Sequence, residues 1–297
     1  MADAATLNSS KPQVPTAAAA EAMTYAPNRA FAMLSHRGRV RHANQDACAA
    51  LAEHGAFVVC DGVGGAAGGE VASHLATEVF LDCLAQPNSA TQARARLAEA
   101  IRAANQAVFR HSRKSPSLHG MGTTLVSLLW EEDTQQSKDA RVSPTLWIAH
   151  VGDSRCYLFR SGGLQMLTED HSLVEEQVRA GLLSRAQAAA SPMRNIITRA
   201  IGTQPTVEPG IALHDAQPGD LYLLASDGLS RELANGEIAQ ILARTAGPAA
   251  LAPGRRDTAA PDLAPQSALD SACRALIDAA NAKGGHDNIT VLLVACP

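Results

Sequence analysis

Five aspartates stand where short apolar runs meet turns, and this pattern restricts the chain more than any other feature. Asp61 closes Ala-Phe-Val-Val-Cys ahead of Gly62-Val63-Gly64-Gly65, and Asp227 follows Leu-Leu-Ala-Ser ahead of Gly228. Asp153 lies in Val-Gly-Asp-Ser-Arg, Asp287 in Gly284-Gly285-His286-Asp287-Asn288, and Asp46 ends Arg41-His-Ala-Asn44-Gln45-Asp46. A single aspartate beside glycine is an ordinary turn. Five of them at the ends of strands stacked in one sheet pair would converge and repel unless cations neutralised them. Oxygen-only ligands select hard ions such as Mg²⁺ or Mn²⁺ over zinc. Two such ions roughly 3.5–4 Å apart can share a water, acidify it and aim it at phosphorus.

Glycine beside Asp61 and Asp227 lets a backbone carbonyl or a water come close to an ion, which makes Gly62 a candidate carbonyl ligand. Arg41 offers a fork of donors for phosphate oxygens, holding a dianion that the acids alone would repel.

Strand-like runs are expected at Phe31–His36, Ala56–Cys60, Thr123–Trp130, Thr145–Val151, Cys156–Phe159, Leu164–Thr168, Leu221–Ser226 and Ile289–Ala295. Short turns such as Gly152-Asp153 and Ser161-Gly162-Gly163 favour antiparallel hairpins over strict βαβ alternation. Helices are expected at Glu70–Leu84, then through Leu97, Ile101, Ala104 and Val108 with Ser89 or Thr91 as cap, and at Ala268–Lys283 before Gly284-Gly285. The expected class is therefore α+β, with helices segregated from a mostly antiparallel sheet pair. Glu131–Ser143 and Ala246–Gln266 read as inserted loops. Residues 1–28, rich in Ala, Ser, Pro and Thr without a period, read as a tail, and 29–297 as one catalytic domain.

Apolar residues are 46% of the chain and aromatics only 3%, so the core has to be built from Ala, Leu, Val and Ile. A net charge of −4 gives no broad basic field for nucleic acid or an anionic membrane. The six cysteines lack CxxC or paired Cys/His spacing and read as reduced core residues. No apolar run approaches the ~18 residues that span a bilayer, and the N-terminus lacks a basic-then-apolar leader, so the expected location is the cytoplasm. Low aromatic content argues against a large hydrophobic interface and leaves a monomer as the default.

The ordered set Arg41…Asn44-Gln45-Asp46, Asp61-Gly62-Val63-Gly64-Gly65, Gly122-Thr123-Thr124, Gly152-Asp153-Ser154-Arg155, Ser226-Asp227-Gly228-Leu229 and Gly285-His286-Asp287-Asn288 resembles the protein phosphatase 2C family, best in its bacterial branch. Each motif is short and weak; their joint order, from about residue 31 to 296, is specific. The resemblance implies a four-layer αββα sandwich of two mostly antiparallel sheets. It implies a centre of two Mn²⁺ or Mg²⁺ ions with a weaker third. By position, Asp46, Asp61, Asp227 and Asp287 become metal-binding acids, Gly62 a carbonyl ligand, and Asp153 the partner of Asp227 at the third ion. Arg41 becomes the phosphate clamp, so Arg41, Asp61 and Asp227 carry the chemistry: direct attack of a metal-bridging hydroxide on phosphoserine or phosphothreonine. The implied substrates are phosphorylated proteins, among them a serine/threonine kinase and its forkhead-associated partners.

Two departures stand out. Val63 stands where some members carry a histidine proposed as general acid, and Gln45 where many have glutamate, removing one negative charge near the ions. His42, His171 and His286 are not ranked by sequence. Residues 180–203 are similar to the flap subdomain beside the cleft of bacterial members, where Arg194 or Arg199 meets a phosphopeptide or serves a structural salt bridge.

Other readings fit less well. Gly62-Val-Gly64-Gly65-Ala-Ala67 matches a relaxed dinucleotide loop, but Asp82, about the right distance on, falls in a helix. No calcium loop of the DxDxDG type is present. Cys60 lacks a following phosphate loop ending in arginine. A pseudophosphatase acting as a phosphoprotein-binding module is the alternative from another class; it should have lost a metal acid, and all four principal ones remain.

Overall fold

A computed structural model describes residues 29–64, 68–86, 92–131, 145–247 and 264–296. The tail, Gly65, the cap candidates Ser89 and Thr91, and most of both expected loops lie outside the described residues.

The described strands are β1 (Phe31–His36), β2 (Asp46–Leu51), β3 (Ala56–Val63), β4 (Gly122–Thr123), β5 (Leu125–Glu131), β6 (Thr145–Val151), β7 (Arg155–Arg160), β8 (Gly163–Met166), β9 (Gly210–Asp215), β10 (Leu221–Ala225) and β11 (Ile289–Ala295). The helices are α1 (Gly68–Ala85), α2 (Ala93–Ser112), α3 (Leu173–Arg179), α4 (Arg185–Ala190), α5 (Asp227–Glu232), α6 (Asn235–Thr245) and α7 (Ala264–Ala282). One sheet runs β1-β11-β10-β7-β8; the other runs β2-β3-β5-β6-β9, with β4 on β3. Every pairing is antiparallel.

Strand alternation sorts the apolar residues into three cores. In β10, Leu221, Leu223 and Ala225 face outward to meet Leu229, Ile238, Leu242, Leu269, Leu276 and Ile277 from α5, α6 and α7. Tyr222 and Leu224, between them, face inward against Phe57, Val126, Leu128 and Ile148 of the other sheet. That sheet turns Val58, Cys60, Leu125 and Leu129 to Phe80, Leu84, Leu97 and Ile101 of α1 and α2. One core between the sheets and one outside each makes four layers, αββα.

Two strands differ from the sequence expectation. β2 is Asp-Ala-Cys-Ala-Ala-Leu, whose alanines have little strand preference, and it becomes a strand by pairing along its whole length with β3. β9 sits at a sheet edge with no residue fully buried, so its alternation is shallow. The expected strand Thr123–Trp130 breaks at Thr124, whose amide donates to the Asp61 carbonyl at 2.8 Å. α5 and α6 were not expected. α5 has only six residues and begins directly on the acid after β10, too short for a helical period to show.

Candidate active site

The acids arrive from both sheets. Asp46 starts β2 and pairs directly with Asp61 of β3. Asp153 occupies the turn from β6 to β7, Asp227 is the first residue of α5 after β10, and Asp287 sits in the turn ahead of β11. Glycines allow these segments to crowd. A Cβ on Gly38, at φ +76°, would meet the Asp287 carbonyl at 2.1 Å, and one on Gly228 would meet the Asn288 carbonyl at 1.9 Å.

Neutral polar groups fix the frame around them. Asn288 donates to the carbonyls of Arg37 at 3.0 Å and Ala43 at 2.9 Å and accepts from the Gln45 amide at 2.8 Å, tying the β1–β2 loop to the β11 turn. Ser226 and Thr290 hydroxyls donate to Asp46 Oδ2 at 2.8 and 2.7 Å. Thr124 accepts from the Asp61 amide at 3.0 Å and shares a 2.6 Å hydrogen bond with Ser154.

A cavity of about 660 Å³ opens over this frame. Its wall carries Asp61, Asp153, Asp227, Asp287, Gly62 and Arg41. Asp46 is only 3% exposed and is not on the wall; it stands beside Asp61 as its cross-strand partner. Asn195, Ile197, Thr198, Arg199, Ala200 and Thr203 of the expected flap close the opposite side. The flap contains α4, capped by Ser184 and Gln187, and is tied to the body by bridges Thr123↔Ile201 and Ser172↔Ile197.

Burial dominates the electrostatics. It lifts Asp46 to about 6 despite the hydroxyls that favour its ionised form. Burial, then repulsion from Asp46, Asp227, Asp153 and Asp287, pushes Asp61 well above the carboxylate range. Burial and then Asp153 do the same to Asp227, and burial followed by Asp170 raises Asp153. Two carboxylate oxygens, Asp46 Oδ1 and Asp227 Oδ1, are buried with no hydrogen-bond partner. Such orphans are costly unless a cation meets them. The oxygen-only donor set and these two orphans fit hard divalent ions. Among the described residues, however, no three acids stand as a closed coordination shell. Arginines stand between them instead: Arg41 reaches Asp287 Oδ2 at 2.8 Å, and Arg231 pairs with Asp227 and, at 3.2 Å, with Asp287.

Arg231 was not singled out from sequence, because its pairing with Asp227 depends on the short helix α5, which the sequence did not reveal. No histidine is among the described residues lining the cavity. His286 pairs with Glu232 at 2.7 Å, and His171 is buried and stacked on His150 with ring centroids 4.6 Å apart. His42 is exposed and does not line the cavity. Arg199 lines the cavity and donates to the Glu208 carbonyl, while Arg194 donates to the Ala189 carbonyl, both at 3.4 Å. Cys60 is fully buried with its thiol pushed up to about 12, which removes it as a nucleophile.

Converging buried acids with an arginine that can grip phosphate form the equipment of a phosphoester hydrolase. Residues 35–250 match the family model for protein phosphatase 2C, and the chain belongs to that family. The serine/threonine phosphatase stp of Listeria monocytogenes serotype 4b (strain F2365) is 33% identical over 270 residues, 87% of this chain and 92% of that protein. The serine/threonine protein phosphatase PstP of Mycobacterium tuberculosis is 35% identical over 263 residues, 89% of this chain but 44% of the longer relative. A crystal structure of the PstP catalytic domain in complex with two manganese ions matches at 31% identity with a TM-score of 0.70, covering 90% of this chain and 97% of that one.

Proposed function

We propose that the acid-walled cavity hydrolyses phosphoserine and phosphothreonine on proteins with divalent ions held by Asp46, Asp61, Asp227, Asp287 and the Gly62 carbonyl. The chain is a bacterial-type protein serine/threonine phosphatase, as its family and its named relatives support. The observation that carries the metal reading is the pair of orphaned, buried oxygens on Asp46 and Asp227 within a donor set made only of oxygen. Bound there, hard divalent ions supply charge neutralisation and an acidified water. Two ions are the reading supported by the manganese-bound relative, with Asp153 and Asp227 offering room for a weaker third; manganese or magnesium both suit the donors.

The protein's own groups do the rest. Arg41 stands half-exposed at the cavity wall, so its guanidinium can leave Asp287 and turn its fork to the phosphate oxygens of an entering phosphoprotein. The flap residues opposite cover the bound segment. Val63 lines the wall where an imidazole could have stood, which leaves solvent water as the proton source for the departing seryl or threonyl oxygen.

We further read residues 29–297 as one catalytic domain acting in the cytoplasm as a monomer. Among the described residues no helix is long and apolar enough to cross a membrane. Its substrates, on this reading, are a serine/threonine kinase and that kinase's forkhead-associated targets. Phosphothreonine, phosphoserine and phosphotyrosine peptides, assayed with Mn²⁺, Mg²⁺ or EDTA, test the activity. Turnover of the first two only, dependent on metal, is expected; metal-independent or tyrosine-selective turnover contradicts it. Phosphoproteomes of a deletion strain should show accumulation at kinase-dependent sites, and no changed site would remove the kinase from the account.

A further inference from the structure

Arg231 has no part in the reaction described above, yet it is the most heavily engaged cation in the site. It lies one helical turn after Asp227 on α5, so both side chains leave the same face. Its guanidinium pairs with Asp227 Oδ2, reaches Asp287 Oδ2 at 3.2 Å and stands 3.9 Å from Asp153 Oδ2. Asp287 Oδ2 is shared with Arg41. These acids are ones the proposed metal centre needs: the fork leaves Asp227 Oδ1 open but takes the second oxygen of that carboxylate and sets a positive charge beside any ion bound there.

We propose that Arg231 is a built-in cationic competitor that occupies the oxygens of Asp227 and Asp287 and sets how tightly the site holds its divalent ions. The inference rests on the metal-binding reading of those two acids. Arg231 also has a place to go. Its side chain is about one-third exposed and forms part of the boundary between the main cavity and a second one of about 350 Å³, lined by Glu175, Asp170 and Ser230. Asp170 is already gripped by Arg155, while Glu175 meets Arg185 at 3.7 Å, and Arg155, Arg185 and Arg194 line the same cavity. A guanidinium swung into that cavity can reach Glu175, in competition with Arg185. Ion binding therefore has to break charge-assisted hydrogen bonds first, and the affinity falls by what those bonds contribute.

Calorimetric titration of Mn²⁺ into the chelator-treated full chain tests this directly, comparing wild type with Arg231→Met, which keeps length without charge, and Arg231→Lys, which keeps charge without the fork. Arg231→Met should bind Mn²⁺ at least ~10-fold more tightly, from the loss of a charge-assisted hydrogen bond, with Arg231→Lys between the two. The melting temperature of the chelated protein should fall in Arg231→Met and its rise on adding Mn²⁺ should grow, because the acids lose their internal counter-ion. Unchanged or weaker binding by Arg231→Met, while wild type binds, overturns the role of Arg231 and leaves the metal centre standing. No binding by wild type overturns the metal centre and this inference with it. Should Arg231→Met fail to fold, Arg231→Lys carries the test: affinity equal to wild type contradicts competition through the fork.

Discussion

At the scale of single residues, the site stores electrostatic conflict. Asp61 is pushed up by burial and by four neighbouring acids, so its folded state holds a proton to higher pH than the unfolded chain does. The sign follows: stability from that proton is present at low pH and is lost as pH rises through the folded pKa. Asp61→Asn removes the conflict. Thermal melts of the chelated protein should show this variant more stable than wild type at pH 7, with the advantage shrinking as pH is lowered toward 4, while Mn²⁺-dependent turnover drops at least ~100-fold. An Asp61→Asn protein that is less stable than wild type without metal at pH 7 would contradict the reading. Arg41→Ala should raise KM for phosphopeptides by roughly 10- to 100-fold, the worth of one charge-assisted contact to phosphate, and steady-state kinetics would show it. The aspartates themselves were legible because each stands beside a turn glycine or at the edge of an apolar run. That Asp46 pairs directly with Asp61 was not legible, since it depends on the register between β2 and β3.

At the scale of elements, the site is assembled by short connections rather than by long regular segments. The Asn288 side chain ties together the loop after β1, the start of β2 and the turn before β11, beside the backbone bonds from Arg39 and Val40 to the Gly285 carbonyl. Asn288→Ala should therefore cost about 2–4 kcal/mol of stability, from two or three lost or orphaned buried hydrogen bonds, read by denaturant unfolding. It should also weaken Mn²⁺ binding by loosening Asp46 and Asp287 together; an effect on stability alone would show that the turn holds its shape without it. The sequence disclosed the strands with strong Val, Ile and Leu content. It hid β2, where alanines are strands only by virtue of their partner, and β9, an edge strand with a weakly buried face. It hid α5 as well, although this helix carries both Asp227 and Arg231 and so shapes the site more than its six residues imply. Where packing or pairing overrides local preference, one chain read by itself has no signal to offer.

At the scale of the whole molecule, two sheets converge on one edge because three separate cores hold them there. The inter-sheet core packs β3 against β10, and with them brings Asp61 toward Asp227. Tyr222, fully buried between the sheets and bonded to Asp220 at 3.0 Å, is a central part of it. Tyr222→Ala should destabilise the fold by about 3–5 kcal/mol, monitored by thermal melting, and lower Mn²⁺ affinity; unaltered affinity in the folded variant would mean that the two acids are positioned locally. The layered architecture was legible from antiparallel turns and helix placement together with the family's motif order. The assignment of each strand face to a core was not, because sheets of Val, Leu and Ala are apolar on both sides. On the proposed mechanism, buried oxygens of converging aspartates hold the ions on which phosphoester hydrolysis depends. The most direct test is Mn²⁺ binding and phosphothreonine-peptide turnover measured on the same preparations of wild type and Asp227→Asn. The account predicts that wild type turns over in proportion to its bound metal and that Asp227→Asn, still folded, loses both; Asp227→Asn that binds Mn²⁺ and turns over like wild type would contradict it.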